Sequence, residues 1–297
     1  MIMMDFYFWM HMPFVLVLLA ALAFHVTYLR QYLRSKDFRN QFNNLCCFRS
    51  MTCCVCLTAA LYSYIEPFYF DQIIKDITVQ IIYTSSRYFV YSEVLFALNR
   101  VIAIIFWNYY DRIFSERYQL FLGLGPMFPA VIEKILKLTV TRCIMNILPN
   151  MTYDYVENKR FCRRYDTYSS LYLVIPIIAI TTALNLWTLV WVLKFWKNKA
   201  TSPNVSVMRT NIRMYSYSFC QGIISLALVF HWLFLLWYPQ HVLSKALALL
   251  PAVEIRTFIE GFFLVFLNWK AIRTTLSQDY SCLRSLRTVG SGSDTRI

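Results

Sequence analysis

Charge is scarce in this chain. Only 15% of its 297 residues are Asp, Glu, Lys or Arg, 58% are hydrophobic, and the mean hydropathy is +0.46. A soluble domain carries about a quarter charged residues, so a water-soluble fold would have too little polar surface to cover this much apolar side chain. Histidine is scarcer still. His11, His25, His231 and His241 stand far apart, with no acid beside them and no nucleophile constellation, so acid–base or covalent catalysis has no starting point and no enzyme is expected. The nine cysteines show no strong metal-ligand spacing, and no cofactor is expected. Five of them (Cys46, Cys47, Cys53, Cys54 and Cys56) lie in one apolar segment, where a thiolate is costly and a small polarizable packing residue is at home. Cys46 and Cys47 also stand near the segment's edge, a position suited to acylation. No internal repeat is visible, which argues against a repeat-built transporter. The net charge is +13, but the basic residues lie between apolar runs and form no tract, so no nucleic acid partner is implied.

What the chain has is apolar runs of membrane-crossing length, about 20 residues each. Seven spans are predicted, at about 8–29, 42–65, 80–106, 120–138, 168–193, 214–238 and 246–269, with a tail at 270–297. The fold class is therefore all-α, a seven-helix membrane bundle. The fourth span is the weakest, because the run Leu120 to Ile132 is short and holds Pro126 and Pro129; a re-entrant segment is the alternative. It reaches full length if Glu133 pairs with Lys137 one turn on and Lys134 snorkels. Before the first span stands Asp5 and no Lys or Arg, whereas Arg30, Arg34, Lys36 and Arg39 follow it. That suits an uncleaved anchor with its amino terminus outside.

With these boundaries, 16 of the 29 Lys and Arg fall in the connections assigned inside and 7 in those assigned outside. The positive-inside rule then selects an external amino terminus and a cytoplasmic carboxyl terminus. The exception is the 139–167 connection, with Lys159, Arg160, Arg163 and Arg164. Were the fourth segment not to cross, every later loop would invert, and the basic 194–213 connection and the tail would lie outside, which erases the bias. The same connection holds the sequon Asn150-Met151-Thr152 and is flanked by Cys143 and Cys162, a disulfide candidate if the loop is external. The inner connections, rich in Lys and Arg, would face a cytoplasmic partner or anionic membrane lipids.

Ionisable residues within the spans mark the interior. In the third span Ser86, Val90, Glu93, Ala97 and Arg100 recur at helical spacing, with Arg87 beside the stripe. In the seventh, Glu254, Thr257, Gly261, Leu264 and Asn268 share a face, and Arg256 and Glu260 are spaced to neutralise each other. Arg49 and Asn185 are further polar interior candidates. His231 reads as a packed aromatic. The bland alternative for all of them is interhelical glue.

The stretch Leu98-Asn99-Arg100-Val101-Ile102-Ala103-Ile104-Ile105-Phe106, followed by Tyr110-Asp111-Arg112-Ile113-Phe114, resembles the end of the third helix in nematode serpentine chemoreceptors, the Srg group and its relatives. The fifth span, from Ser170-Leu171-Tyr172-Leu173-Val174-Ile175-Pro176 through Asn185-Leu186, is similar to that family as well. Trp107-Asn108 stands where the family often has proline. Against rhodopsin-like receptors, Leu98-Asn99-Arg100 replaces Asp-Arg-Tyr, and the seventh span ends Asn268-Trp269 without Asn-Pro-x-x-Tyr. No cysteine marks the outer end of the third span. The resemblance implies a G-protein-coupled chemosensory receptor in the plasma membrane, sensory cilium included, with an external small-molecule ligand and a heterotrimeric G protein as partners. Arg100, with Asn99, would be the switch that changes partners on activation. Arg87, Tyr91, Glu93, Tyr172 and Glu254 are the ligand-pocket candidates. A transporter or lipid-handling protein, and a ligand-gated channel of inverted topology like the insect taste receptors, are the competing readings.

The topology generates a direct test. Asn150→Gln should abolish a glycan and speed migration on a gel, while Asn204→Gln, in the basic 194–213 connection, should leave migration unchanged. A shift from Asn204 alone would invert the carboxyl-terminal half.

Overall fold

In the computed structural model the described residues are 2–65, 72–143, 145–147, 153–155, 158–197, 215, 217, 219–227 and 249–274. They are almost entirely helical. The elements are α1 (Ile2–Arg34), α2 (Gln41–Ile65), α3 (Gln72–Ile104), α4 (Trp107–Ile113), α5 (Glu116–Leu124), α6 (Met127–Thr139), α7 (Lys159–Ser169) and α8 (Ile175–Lys197). A helical stretch at 219–227, here α9, and α10 (Leu249–Leu267) follow. Asn150, Asn204, His231, the rest of the sixth predicted span and residues 275–297 lie outside the described residues.

Among the described residues, four stretches are long and apolar enough to cross a membrane by length and composition: Met12–Arg34, Gln41–Tyr64, Arg117–Thr139 and Lys159–Lys194. The third of these joins α5 to α6 through Gly125 and Pro126. Proline has no N–H to continue the ladder, so the helix restarts there. Pro129 falls in the first turn of α6, where its missing donor has no partner to lose. The fifth predicted span begins earlier than its apolar run indicates. Residues 159–167 read as polar loop, yet they form α7, whose Cys162, Asp166 and Ser169 share one helical face. A π-helical turn at Ser170–Val174 links α7 to α8. Between α6 and α7, two short antiparallel strands pair Met145–Ile147 with Tyr153–Tyr155, and Cys143 is bonded to Cys162, with Cα atoms 5.4 Å apart.

α3 is the axis. From Thr78 to Val101 only Leu98 is exposed, because α3 packs against α2, α6 and α8. α1 lies against α2 and α10. The outer surface is apolar: Leu16 and Val26 on α1, Ile132 and Ile135 on α6, and Leu186 and Val190 on α8 are all exposed. Hydrocarbon is as apolar as these side chains, so they cost nothing in lipid. Cys46, Cys53 and Cys56 are fully buried and Cys47 nearly so, which fits the packing role and removes Cys46 and Cys47 from the surface an acyl chain would need. Near one end, Phe42, Phe96 and Tyr217 form a triangle of rings with centroids 5.8–5.9 Å apart.

Gly261 lies where α10 meets α1. A Cβ there would stand 3.0 Å from Phe24 Cβ and 3.1 Å from His25 Nε2. The Phe24 Cβ is fixed to its backbone and has no room to give. Gly261→Val should therefore destabilise the bundle by about 1–3 kcal/mol, read as a lower Tm of the purified protein. An unchanged Tm would mean that α1 and α10 do not pack this closely.

Candidate functional site

The polar residues of the bundle interior gather in three layers along α3, separated by six or seven residues and hence by about 9–10 Å of helix.

The middle layer is built on Arg49 of α2, which is fully buried. Its Nε and Nη2 donate to the two oxygens of Glu260 at 2.5 and 3.1 Å. Nη2 also reaches Glu93 at 2.9 Å and Gln221 at 2.8 Å, and Nη1 donates to the Ser92 hydroxyl at 2.8 Å. The guanidinium lies 5.6 Å from the Phe89 ring centroid and 5.3 Å from that of Phe96. Arg256 donates to the same Glu93 oxygen at 2.7 Å, as does Ser225 at 3.2 Å. Tyr217 donates to Glu260 at 2.9 Å. Two cations thus face two carboxylates, and the layer is neutral, the condition for burying charge at tolerable cost. The expected local pairing of Arg256 with Glu260 is not made. Each instead takes a partner on another helix, because both point inward where α2 and α3 present the opposite charge. His25 of α1 borders the layer. Its Nε2 faces the Thr257 carbonyl at 3.0 Å and its Nδ1 the Ser50 hydroxyl at 3.2 Å. A carbonyl only accepts, so Nε2 carries the proton and Nδ1 accepts from Ser50.

The second layer joins α3 to α6 and α7. Glu133 accepts from Tyr91 at 2.9 Å, Ser169 at 3.0 Å and Tyr83 at 3.3 Å, and pairs with Arg87 at 3.2 Å. Arg87 also donates to the Tyr83 hydroxyl and to Ser169, at 3.0 and 3.1 Å. Lys137 pairs with Asp166 at 2.5 Å. The expected Glu133–Lys137 pair is therefore replaced by two interhelical pairs, since α6 turns all its charges inward. Lys134 does not snorkel. It is buried, with Nζ 4.7 Å from the Tyr83 ring centroid. Tyr83 continues into an apolar cluster with Val79 and the Cys143–Cys162 bridge.

The third layer is Asn99 and Arg100 near the other end of α3, both buried. Asn99 donates to the Tyr110 hydroxyl at 3.3 Å, and Arg100 Nε to the Phe96 carbonyl at 3.1 Å. Arg100 Nη1 and Nη2 have no hydrogen-bond partner among the described residues.

Of the pocket candidates, Arg87 and Tyr91 meet on Glu133, and Glu93 lies in the neighbouring layer. Glu254 is fully buried on α10, and among the described residues no ion pair joins it to the other three. Tyr172 does not face the interior. It falls in the π turn, is 72% exposed and stacks on Tyr168 with centroids 6.2 Å apart. The wider turn changes the angular position of each residue, which regular helical spacing does not anticipate. Ser92, Tyr217, Gln221, Ser225 and His25 were not singled out from sequence. Their signal, single polar residues in apolar runs, is weak one at a time. Among the described residues no three His, Cys, Asp or Glu side chains gather as a metal ion would require.

No curated protein matches the chain. A family model described as "Serpentine type 7TM GPCR chemoreceptor Srx" matches residues 16–268, nearly the whole helical region. The level of resemblance read from the third helix, a serpentine chemoreceptor, is thus the level that holds, and Srx is the branch whose model matches. The chain belongs to the serpentine seven-transmembrane GPCR chemoreceptor family Srx.

Proposed function

We propose that this receptor detects an external small molecule and signals through a heterotrimeric G protein, from the plasma membrane of a sensory cell and its cilium. The amino terminus is outside and the carboxyl terminus cytoplasmic. The disulfide supports that orientation independently of charge counting, because such bonds persist on the oxidising side of a membrane. An external Cys143–Cys162 bridge, which packs on Tyr83, puts the Tyr83 and Glu133 layer on the outer side. The Arg100 layer then faces the cytoplasm.

The observation that carries the reading is Arg100. A fully buried guanidinium with two nitrogens unpartnered among the described residues is poised to take a new partner, and a small displacement of neighbouring helices would supply one. The middle layer links α2, α3, α9 and α10, so a ligand that moves one of them strains the pairs holding the others. Arg87, Tyr91, Glu93 and Glu254 remain the lining candidates, with ligand entering from the disulfide side.

Arg100→Ala removes a buried charge that forms no ion pair, so folding should be retained. In cells, an amino-terminal tag should stay accessible without permeabilisation at wild-type level, while nucleotide exchange on a co-expressed G protein falls at least tenfold. Loss of surface display together with signalling would make Arg100 a structural residue instead. An amino-terminal tag reached only after permeabilisation would overturn the receptor orientation.

A further inference from the structure

In the layer beneath the disulfide one cation, Lys134, forms no ion pair or hydrogen bond among the described residues. Among the described residues, the carboxylates of Glu133 and Asp166 face three cations: Arg87, Lys134 and Lys137. Glu133 is occupied by Tyr91, Ser169, Tyr83 and Arg87, and Asp166 by Lys137. Lys134 is 6% exposed, and its Nζ has no hydrogen-bond partner. Its neighbour is the face of Tyr83, whose ring centroid is also 4.2 Å from Lys137 Nζ. A ring face attracts an ammonium but accepts none of its three N–H donors as an anion would, and a buried ammonium without an anion is costly. α6 had an alternative, since the adjacent positions Ile132, Ile135 and Leu136 all face outward. The helix instead turns Lys134 into the bundle.

We infer that Lys134 anchors a subsite for a small organic monocarboxylate. The group to be answered is a single ammonium, Lys134 Nζ, and one carboxylate supplies both the charge and the acceptors it lacks among the described residues. The surroundings are apolar on the side away from the disulfide. Ala130, one turn earlier on α6, is fully buried in an apolar cluster against which half-buried Tyr91 and Met127 pack. These suit the hydrocarbon body of a short acid. The inference rests on the receptor reading for the side from which ligand arrives, and it names the chemical class that such a receptor detects.

The test is binding to the purified full-length protein in a neutral detergent, without G protein. Its Tm is followed at fixed ionic strength with sodium salts of straight-chain acids from formate to decanoate, with the matching amides, with chloride, and with vesicles of an anionic phospholipid. At least one carboxylate should raise the Tm by about 5 °C in excess, and its amide should not. Lys134→Met should lose that shift while being at least as stable as wild type without ligand, and Lys134→Arg should keep it. The subsite is overturned if no acid shifts the Tm, if the amide acts equally, or if Lys134→Met still responds. It is overturned equally if chloride or the anionic lipid gives the whole effect. Because signalling is not the readout, a protein that fails to couple to a G protein still tests the subsite. A protein that couples normally but shows no Lys134-dependent shift removes the subsite alone.

Discussion

A guanidinium cannot shed its charge inside a protein, and Arg49 is a guanidinium with no access to water. Everything near it is arranged to answer that constraint. Two carboxylates from different helices, Glu93 and Glu260, supply the counter-charge, and Arg256 restores neutrality by pairing with Glu93. Ser92 and Gln221 take remaining donors, and two aromatic faces close the shell. In hydrocarbon the helices gain nothing from burying Leu against Leu rather than against lipid. Polar complementarity and close packing therefore decide which helices meet, and Arg49 decides it for α2, α3, α9 and α10.

The same constraint explains why α3 is central. It contributes to all three layers, Arg87 and Tyr91 in one, Ser92 and Glu93 in the next, and Asn99 and Arg100 in the last, so it must be surrounded on nearly every face. The layers are not equally satisfied. The middle one balances two cations with two carboxylates, with Glu93 Oε2 and Arg256 Nε left without a hydrogen-bond partner among the described residues. Among the described residues, the one under the disulfide holds Lys134 Nζ without a hydrogen-bond partner, and the one at the far end holds a guanidinium with two nitrogens unpartnered.

The helical, membrane-embedded class was legible because it depends on long-run composition, which seven apolar runs state repeatedly. The third-helix stripe was legible because seven-residue spacing returns Glu93 and Arg100 to one face. Pairing was not. Glu133–Lys137 and Arg256–Glu260 are both spaced for local pairing, and both are overridden by oppositely charged residues on other helices, which no one-dimensional spacing encodes. α7 was hidden by its polar composition, although Cys162, Asp166 and Ser169 carry helical periodicity. Tyr172 was misplaced because a single π turn re-phases the helix, and the sequence gives no local sign of it beyond Pro176 just downstream.

Arg49 and Glu260 act as one unit, which a double-mutant cycle measures directly. Tm and surface display would be compared for Arg49→Met, Glu260→Gln and the double variant. If the pair organises the bundle, each single change leaves a buried charge uncompensated and costs about 3–5 kcal/mol. The double variant should then recover most of that loss, with a coupling energy of about 2 kcal/mol or more. Additive losses, with the double variant worse than either single one, would contradict it and would mean that Arg49 and Glu260 act separately.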